Sequence, residues 1–309
     1  MTGTVGVALD VVCVGESMVT FVPSVPGQRL ADAAAFDRGT GGAESNVACA
    51  LARLGHAVRW ISRVGTDPFG DHLVATIAAA GVDVSGVRRD RDRPTGVYFR
   101  TGDGEVAYYR AGSAASAMGP DNVARHEAWA GRVLHLSGIT PALSEGCADL
   151  VHELTVPAPG RPLVSFDVNH RPALWRSADP VRLARLAARC DLVLVGEDEA
   201  EAAWGLPDAD AVREALPGPA VLVVKQGAHG ATAYEGGADG VFVPAPDTPV
   251  VDLVGAGDAF AAGFLSATLR TLPLRERLAR GHALAAAVIG VRGDSLATLG
   301  DGAWGRLRA

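Results

Sequence analysis

Cysteine is scarce in this 309-residue chain, which has only Cys13, Cys49, Cys147 and Cys190, all far apart. No Cys-x-x-Cys pair or Cys/His cluster occurs, so the sequence indicates neither a zinc site nor a disulfide framework. Isolated thiols of this kind are typically reduced and mostly buried, which predicts a cytoplasmic location.

Positive charge is also in deficit, because 28 Lys and Arg residues stand against 35 Asp and Glu residues, a net charge of -7. This excludes a general attraction to nucleic acid or to anionic membranes, so any phosphate site must be local. The run Arg88-Arg89-Asp90-Arg91-Asp92-Arg93 alternates in sign and is interpreted as a solvated turn.

The N-terminal region lacks a long hydrophobic run. Residues 11–14 are apolar but end at Gly15-Glu16, and no basic segment precedes them. The stretch is too short to cross a bilayer and is interpreted as a first strand. We therefore expect neither a membrane nor a nucleic-acid partner.

Apolar runs alternate with longer amphipathic segments along most of the chain. The apolar runs predict buried strands at residues 11–14, 58–64, 133–136, 163–168, 192–195 and 221–225. The amphipathic segments predict helices at residues 45–54, 70–80, 144–154, 180–188, 200–204, 258–271 and 274–291. This alternation predicts an α/β fold with a parallel sheet covered on both faces. No long linker or internal repeat divides the chain, so we expect a single domain over residues 1–309.

Residues 95–110 interrupt the alternation, because extended stretches flank the turn Thr101-Gly102-Asp103-Gly104 and predict a β-hairpin. Residues 18–22 are also extended. We predict a small sheet outside the main one, a lid formed by about residues 17–38 and 94–112. A sheet that covers a ligand exposes an edge, which predicts a homodimer or a higher homo-oligomer through the lid.

The segment Val251-Asp252-Leu253-Val254-Gly255-Ala256-Gly257-Asp258-Ala259-Phe260 is interpreted as a glycine loop that opens onto a helix. Converging amides and the positive helix end suit an anion. Asp258 would repel that anion unless it serves as a base for a hydroxyl attacking a phosphoryl group. A glycine-rich turn with an N-cap Asp is the alternative. A dinucleotide-binding loop is less favoured, because it should follow the first strand.

Two further clusters suggest ligand contacts. The segment Gly39-Thr40-Gly41-Gly42 precedes a helix on which Asn46 offers a donor and an acceptor to hydroxyl groups. A glycine-rich loop with Ser45 as its N-cap is an equal alternative. On the hairpin, Tyr108 and Arg110 share one face and would present a phenol and a guanidinium to an anionic ligand. An ordinary surface hairpin is the alternative there.

Polar residues also follow predicted strands. Asp167, Asn169 and Arg171 follow one strand and Lys225 ends another, and carboxyl ends of strands line the ligand crevice in open α/β sheets. A capping loop and a solvated Lys are the alternatives. A lone helical His such as His282 is usually packed, although this one is within reach of a bound adenine.

The two glycine motifs, in this order, resemble those of the ribokinase-like, or PfkB, family of carbohydrate kinases, over about residues 11–294. A narrower resemblance to 2-keto-3-deoxygluconate kinases rests on four segments. They are Gly15-Glu16, Tyr108-Tyr109-Arg110-Ala111-Gly112-Ser113-Ala114, Leu136-Ser137-Gly138-Ile139-Thr140 and Asp167-Val168-Asn169-His170-Arg171-Pro172-Ala173-Leu174-Trp175.

The resemblance implies a three-layer αβα sandwich with a mostly parallel central sheet and a small β-sheet lid. It implies phosphorylation of a sugar acid, 2-keto-3-deoxygluconate to its 6-phosphate, with ATP and Mg²⁺ as cofactors, and it allows for a monovalent cation. It makes Asp258 the base and Gly255, Ala256 and Gly257 the anion hole. It assigns substrate contacts to Gly42, Asn46, Tyr98, Tyr108, Arg110, Arg171 and Asp258. It places Lys225, Gly227, Gly255, Gly257 and His282 on the ATP side.

One motif departs from the family pattern. Many members have Asn-x-x-Glu after a central strand, whereas this chain has Gly196-Glu197-Asp198-Glu199. The resemblance then implies that Glu199 acts on magnesium through water, since Mg²⁺ tends to keep its waters.

Two rival functions remain at this point. A kinase for a neutral sugar such as fructose or ribose would not need two arginines in its pocket. A non-catalytic sugar-sensing protein would not need Asp258 and the glycines of the loop.

Overall fold

The computed structural model describes residues 8–101, 104, 106–175, 180–290 and 301–308. The turn of the predicted hairpin at residues 102–103 and the end of the predicted helix 274–291 lie outside these ranges. The strands are β1 Leu9–Val14, β2 Met18–Pro23, β3 Phe36–Gly41, β4 Val58–Gly65, β5 Asp83–Asp90, β6 Val97–Arg100, β7 Val106–Tyr109, β8 Gly131–Ser137, β9 Leu163–Asp167, β10 Leu192–Gly196, β11 Val221–Lys225, β12 Gly230–Glu235 and β13 Val241–Pro244.

The helices cover the segments between most of these strands. They are α1 Ala43–Arg53, α2 Pro68–Ala79, α3 Arg125–Ala128, α4 Glu145–Thr155, α5 Pro172–Trp175, α6 Pro180–Ala187, α7 Glu197–Trp204, α8 Ala209–Ala215, α9 Ala256–Leu269, α10 Leu274–Ile289 and α11 Asp301–Arg308. None of the helices in the described ranges is long and apolar enough to cross a membrane.

Nine strands form the main sheet, in the order β13-β12-β11-β10-β9-β8-β1-β4-β5. The pairs from β11 to β5 are parallel, whereas the β11–β12 and β12–β13 pairs are antiparallel, so that β12 runs opposite to its neighbours. The predicted fold class is confirmed, including the mostly parallel sheet.

Two hydrophobic cores cover the two faces of this sheet. Successive residues of a strand point to opposite faces, so Val193 joins one core while Leu192 and Leu194 join the other. Helices α1, α2, α9 and α10 bury the first face, and α4, α6 and α8 bury the second. Strands buried on both sides must be almost continuously apolar, which is why the sequence predicted them.

A separate four-stranded sheet has the order β3-β2-β6-β7. Strands β2 and β6 pair in parallel, and the two outer pairs are antiparallel. Stacked and edge-on aromatic rings cover one side of this small sheet, at centroid distances of 4.9 to 5.8 Å, and come from Phe21, Phe36, Phe99 and Tyr109.

Several elements differ from the sequence predictions. The predicted glycine loop at residues 39–41 belongs to β3, because these residues pair with Met18–Thr20 of β2. Gly42, and not Ser45, occupies the N-cap of α1. Gly55 and Gly81 follow the C-caps of α1 and α2, with φ of +94° and +96°.

The solvated turn predicted at residues 88–93 is partly wrong, because strand β5 extends to Asp90 and pairs with β4. The Asp90 side chain is buried, and its Oδ1 accepts the Asp92 and Arg93 amides at 2.8 and 3.1 Å. Its Oδ2 lies 2.8 Å from Nε of Arg63. Charge alternation alone did not reveal that one of these acids is an internal anchor.

Candidate active site

The carboxyl ends of five parallel strands, β1, β8, β9, β10 and β11, lie along one edge of the main sheet. Four of these strands, β1, β8, β9 and β11, deliver polar side chains there. Ser137 ends β8, Asp167 ends β9 and Lys225 ends β11, while Glu16 follows β1. This is the edge at which ligands bind in open α/β sheets.

The glycine loop reaches this edge at the N-terminus of α9. Gly255 is the N-cap residue and has φ of +81°, a conformation that favours glycine. Within the described part of the chain, the Gly255 and Gly257 amides donate to no acceptor. Two donors thus remain at the positive end of a 14-residue helix, as an anion site requires.

Asn46 and Asp258 are in direct contact, although 212 residues separate them. The Asn46 side-chain amide donates to Asp258 Oδ2 at 2.8 Å, which links the first turns of α1 and α9. Gly42 permits this approach, because a Cβ there would overlap the Glu16 carbonyl oxygen and lie 2.8 Å from Ser17 Cα. The predicted base and a predicted substrate contact therefore lie side by side.

Lys225 lies between the strand ends and the glycine loop. Its Nζ donates to the two Asp167 carboxylate oxygens at 2.9 and 3.1 Å. The same Nζ is 3.6 Å from the position of a Cβ on Gly257. Burial would lower the pKa of Lys225, but the Asp167 and Glu199 carboxylates raise it above its ordinary value. Lys225 is therefore a fixed cation beside the loop.

Glu199 lies close enough to act electrostatically on Lys225. Its Oε2 accepts the Gly196 amide at 2.9 Å, which closes the first turn of α7. Burial raises the pKa of this carboxyl group, and the Lys225 charge opposes that rise. No group of three His, Cys, Asp or Glu side chains in the described ranges is arranged to hold a metal by itself.

The hairpin places two tyrosines opposite each other. Tyr98 on β6 pairs with Tyr108 on β7, and their ring centroids are 5.4 Å apart. The Arg110 guanidinium carbon lies 5.7 Å from the Tyr108 ring centroid. Tyr98 is buried, whereas Tyr108 is 49% exposed. Tyr108 and Arg110 thus lie on the same side of the hairpin, as their spacing predicted.

Arg110 is not a free cation. One of its terminal nitrogens forms a short ion pair with Glu16, which also accepts the Ser113 hydroxyl at 2.6 Å. Glu16 is only 2% exposed. The Arg110 Nε is buried and has no hydrogen-bond partner. One side of the guanidinium is therefore anchored, and a buried donor remains.

Glu44 is a second buried acid that the sequence analysis did not select. Its Oε1 accepts the Ser137 and Thr140 hydroxyls at 2.8 and 2.7 Å, while Oε2 has no hydrogen-bond partner. Burial raises the pKa of this carboxyl group, against the two hydroxyl hydrogen bonds. A Cβ on Gly15 would overlap the Glu44 carboxyl group. The strand-end rule that selected Asp167 would also have selected Glu16, but nothing comparable marked Glu44.

Three predicted residues lie further from this group. Arg171 is exposed after β9. Burial lowers the pKa of His170, and the Arg171 charge lowers it further. The Arg171 charge also opposes the rise that burial causes in the pKa of Glu199. His282 is buried, with Nε2 3.0 Å from the Val243 carbonyl oxygen and its ring edge-on to Phe260. Gly227 lies in the turn between β11 and β12 with φ of +58°.

Comparisons with known proteins address the identity of this site. Residues 8–299 match the family described as "pfkB family carbohydrate kinase". The chain belongs to the pfkB family of carbohydrate kinases. The predicted resemblance to this family is thereby confirmed.

Named relatives narrow the similarity without fixing a substrate. A 2-dehydro-3-deoxygluconokinase from Bacillus subtilis is 36% identical, and the match covers 93% of this chain and 91% of that protein. The probable fructokinase-7 of Arabidopsis thaliana is 34% identical, with 92% and 88% covered. The crystal structure of a fructokinase with bound ATP from Xylella fastidiosa has a TM-score of 0.84 at 26% identity, with 96% and 97% covered.

Glu44→Gln is expected to remove a pH-dependent contribution to stability. The folded-state pKa of Glu44 lies above its ordinary value of 4.5, so its contribution is complete below pH 4.5. That contribution is lost as the pH rises through the folded-state pKa. The melting temperature of the wild type should therefore fall relative to Glu44→Gln as the pH is raised from 4.5.

Circular dichroism melts over a pH series measure this difference. Glu145→Gln is the matched control, because the Glu145 side chain is 84% exposed. If the melting temperatures of the wild type and Glu44→Gln changed in parallel with pH, the raised pKa assigned to Glu44 would be contradicted.

Proposed function

We propose that this carbohydrate kinase transfers the γ-phosphoryl group of ATP to O6 of 2-keto-3-deoxygluconate, also called 2-dehydro-3-deoxygluconate. The observation that carries this proposal is the buried, unpartnered Nε of Arg110 beside Tyr98 and Tyr108. A buried donor without a partner is costly, and a substrate carboxylate is the acceptor that a guanidinium matches best. The similarity to the Bacillus subtilis enzyme supports the same substrate.

The residues at the sheet edge fit bound ATP. The Gly255 and Gly257 amides have no acceptor in the described part of the chain, and the Lys225 ammonium lies beside Gly257. These groups would hold phosphate oxygens, with Ala256 completing the loop. Gly227 and His282 are assigned to the nucleotide side of the same site.

Asp258 is the proposed general base. It takes the proton of the substrate hydroxyl as that oxygen attacks the γ-phosphorus of ATP, which supplies the phosphoryl group. Asn46 orients the Asp258 carboxylate through the 2.8 Å hydrogen bond. The loop amides stabilise the charge that develops on the transferred group. Gly42, Tyr98, Tyr108, Arg110 and Arg171 are the proposed substrate contacts.

The carboxylates near the loop could hold Mg²⁺ only through the water molecules bound to the ion. Asp167 is already bound to Lys225, and Glu199 already accepts the Gly196 amide. We assign Glu199 to a water-mediated contact with Mg²⁺, which takes oxygen ligands and retains several waters. When bound, Mg²⁺ would neutralise phosphate charge. A requirement for a monovalent cation is a prediction without an assigned residue.

The small sheet is the proposed lid, within a single domain over residues 1–309. Covering the site would exclude water and limit hydrolysis of ATP in the absence of sugar. The proposal also makes this a cytoplasmic enzyme whose partners are small molecules and a second copy of the chain.

A kinase for a neutral sugar is the second candidate, and one observation favours it. Glu16 already pairs with Arg110, so the pocket does not present an uncompensated hairpin cation. The Arabidopsis relative at 34% identity carries the name of a fructokinase. A coupled assay of ADP release over a panel of sugar acids and neutral sugars decides between them. A sugar-sensing protein without activity would release no ADP with any member of the panel.

Asp258→Asn should retain binding of sugar and ATP but lower kcat by roughly 10²–10⁴, the range expected for loss of a general base. Calorimetry measures binding and the coupled assay measures kcat. Asp71→Asn is the control, because its side chain is 75% exposed and lies outside the proposed site. Near-normal turnover of Asp258→Asn would exclude the assigned role.

Arg110→Ala and Arg171→Ala should reduce kcat/KM for 2-keto-3-deoxygluconate far more than for a neutral sugar that the enzyme accepts weakly. Removing Arg110 leaves the substrate carboxylate underpaired, at a cost of about 2–5 kcal/mol in a desolvated pair. The loss for Arg171→Ala has the same direction and should be smaller, since Arg171 is exposed. Both substrates are measured on both variants.

Two controls interpret these arginine variants. Glu16→Gln keeps Arg110 and removes its acidic partner. It therefore tests whether the loss of kcat/KM for the sugar acid comes from removing Arg110 itself or from breaking its ion pair with Glu16. Arg182→Ala removes an exposed arginine that pairs with Glu145. An equal loss for acid and neutral sugar would favour the neutral-sugar kinase.

The protein should form a homodimer, or a larger assembly built from dimers, through the small sheet. That sheet carries a partly exposed aromatic side, and Tyr109 is 65% exposed at its β7 edge. Tyr109→Asp should weaken the dimer, because it places a charge in the predicted contact. Light scattering at the assay concentration measures both proteins, and a wild type that is only monomeric with full activity would contradict this expectation.

A further inference from the structure

A buried ion pair joins the small sheet to the glycine loop. The Arg100 Nη2 donates to Asp252 Oδ2 at 2.9 Å, and the two side chains are only 7% and 15% exposed. Arg100 is the last residue of β6, whereas Asp252 lies three positions before Gly255. The contact is therefore a direct link between the proposed lid and the proposed anion hole.

Asp252 shapes the loop as well as holding Arg100. Its Oδ1 accepts the Val254 amide at 3.1 Å, and its own amide donates to the Ile289 carbonyl oxygen at 3.2 Å. One oxygen of the carboxylate thus orders the turn that leads to Gly255. The other oxygen is bound to the small sheet.

Arg100 lies on the same strand as a proposed sugar contact. Tyr98 and Arg100 are two positions apart on β6, so their side chains lie on the same face of the strand. Any movement of β6 toward or away from the sugar would also move the guanidinium that holds Asp252. Sugar contact and loop geometry are mechanically connected at this point.

We propose that Arg100 and Asp252 are positioning residues that set the Gly255 and Gly257 amides for phosphoryl transfer only when the small sheet is in place. This inference rests on the proposed function in one respect, because it takes these amides as the phosphoryl site. It does not depend on which sugar the enzyme phosphorylates. Neither residue needs to contact a substrate, so binding of each substrate should survive loss of the pair.

Neutral variants test this coupling: each single variant leaves one buried charge without its counter-ion, and the double variant removes both charges. Arg100→Gln, Asp252→Asn and the double variant are compared with the wild type in the coupled assay. The sugar is the best substrate found for the wild type. Arg59→Gln is the matched control, because Arg59 forms an equally direct ion pair with Asp83, at 2.7 Å, between β4 and the edge strand β5.

Each single variant should lower kcat by about 10- to 100-fold, the scale of a misplacement of roughly 1 Å at a reacting centre. KM for ATP and for sugar should change by less than about threefold, since binding contacts remain. The double variant should be no slower than the slower single variant, because both changes break one interaction. Arg59→Gln should match the wild type.

Three results with the neutral variants would overturn the proposal. Unchanged kcat in Arg100→Gln would show that the pair does not position the loop. Losses that multiply in the double variant would show independent roles. A raised KM for ATP at constant kcat would make Arg100 a nucleotide contact instead.

Stability and substrate identity are checked separately. Thermal unfolding shows whether a variant is folded at the assay temperature, and Arg100→Lys, which keeps the charge, should retain more activity than Arg100→Gln. If Arg100→Lys is folded and no more active than Arg100→Gln, the proposal fails. If the wild type phosphorylated a neutral sugar but no sugar acid, the proposed substrate would be refuted. The test of the Arg100–Asp252 pair would still be valid with that neutral sugar.

Discussion

Buried charge at the carboxyl edge of the parallel sheet has to be paired, and this requirement organises the site. Strands that are apolar on both faces leave only their ends for polar groups, so the acids and bases collect along one edge. Two buried ion pairs form there, Lys225 with Asp167 and Arg110 with Glu16. A buried charged group that lost its partner would strongly destabilise the fold. Pairing fixes their positions before a ligand arrives, which is the preorganisation that charge stabilisation in a transition state needs.

Glycine is the second constraint, because it determines how closely the acidic groups can approach the backbone. The Glu44 carboxyl group occupies the space that a side chain at residue 15 would take, and at Gly42 the backbone of Glu16 and Ser17 takes that space. These contacts bring α1 against the end of β1, and with it Asn46 against Asp258. The glycines near residue 42 thus act by allowing close packing, whereas Gly255 acts through its positive φ. The same residue type serves two different physical purposes in the two motifs.

The central strands could be predicted from the sequence, whereas the edges and the pairings could not. Strand β11, Val221–Lys225, was predicted with its observed bounds because a strand buried on both faces is a short apolar run. Strand β5 was missed because it is an edge strand with charged residues and a glycine, and such a pattern is also typical of a turn. The site residues at strand ends followed from topology, but their partners depend on contacts between distant segments. The Asn46–Asp258 and Arg100–Asp252 contacts span 212 and 152 residues, and no local pattern encodes them.

The Glu16–Arg110 pair bears on how such a site could discriminate an acid from a neutral sugar. A bare arginine in the pocket would attract any anion, including the phosphates of ATP. An arginine whose charge is already paired through one terminal nitrogen has less net attraction for anions, and it retains a buried Nε–H donor. Selectivity would then come from the cost of leaving a buried Nε without an acceptor when a neutral sugar binds. The enzyme would then disfavour the neutral sugar because that complex leaves a buried donor unsatisfied. Strong attraction to the sugar acid is not required. A paired arginine is therefore as compatible with a sugar-acid site as a free one, because its buried Nε–H donor still lacks an acceptor.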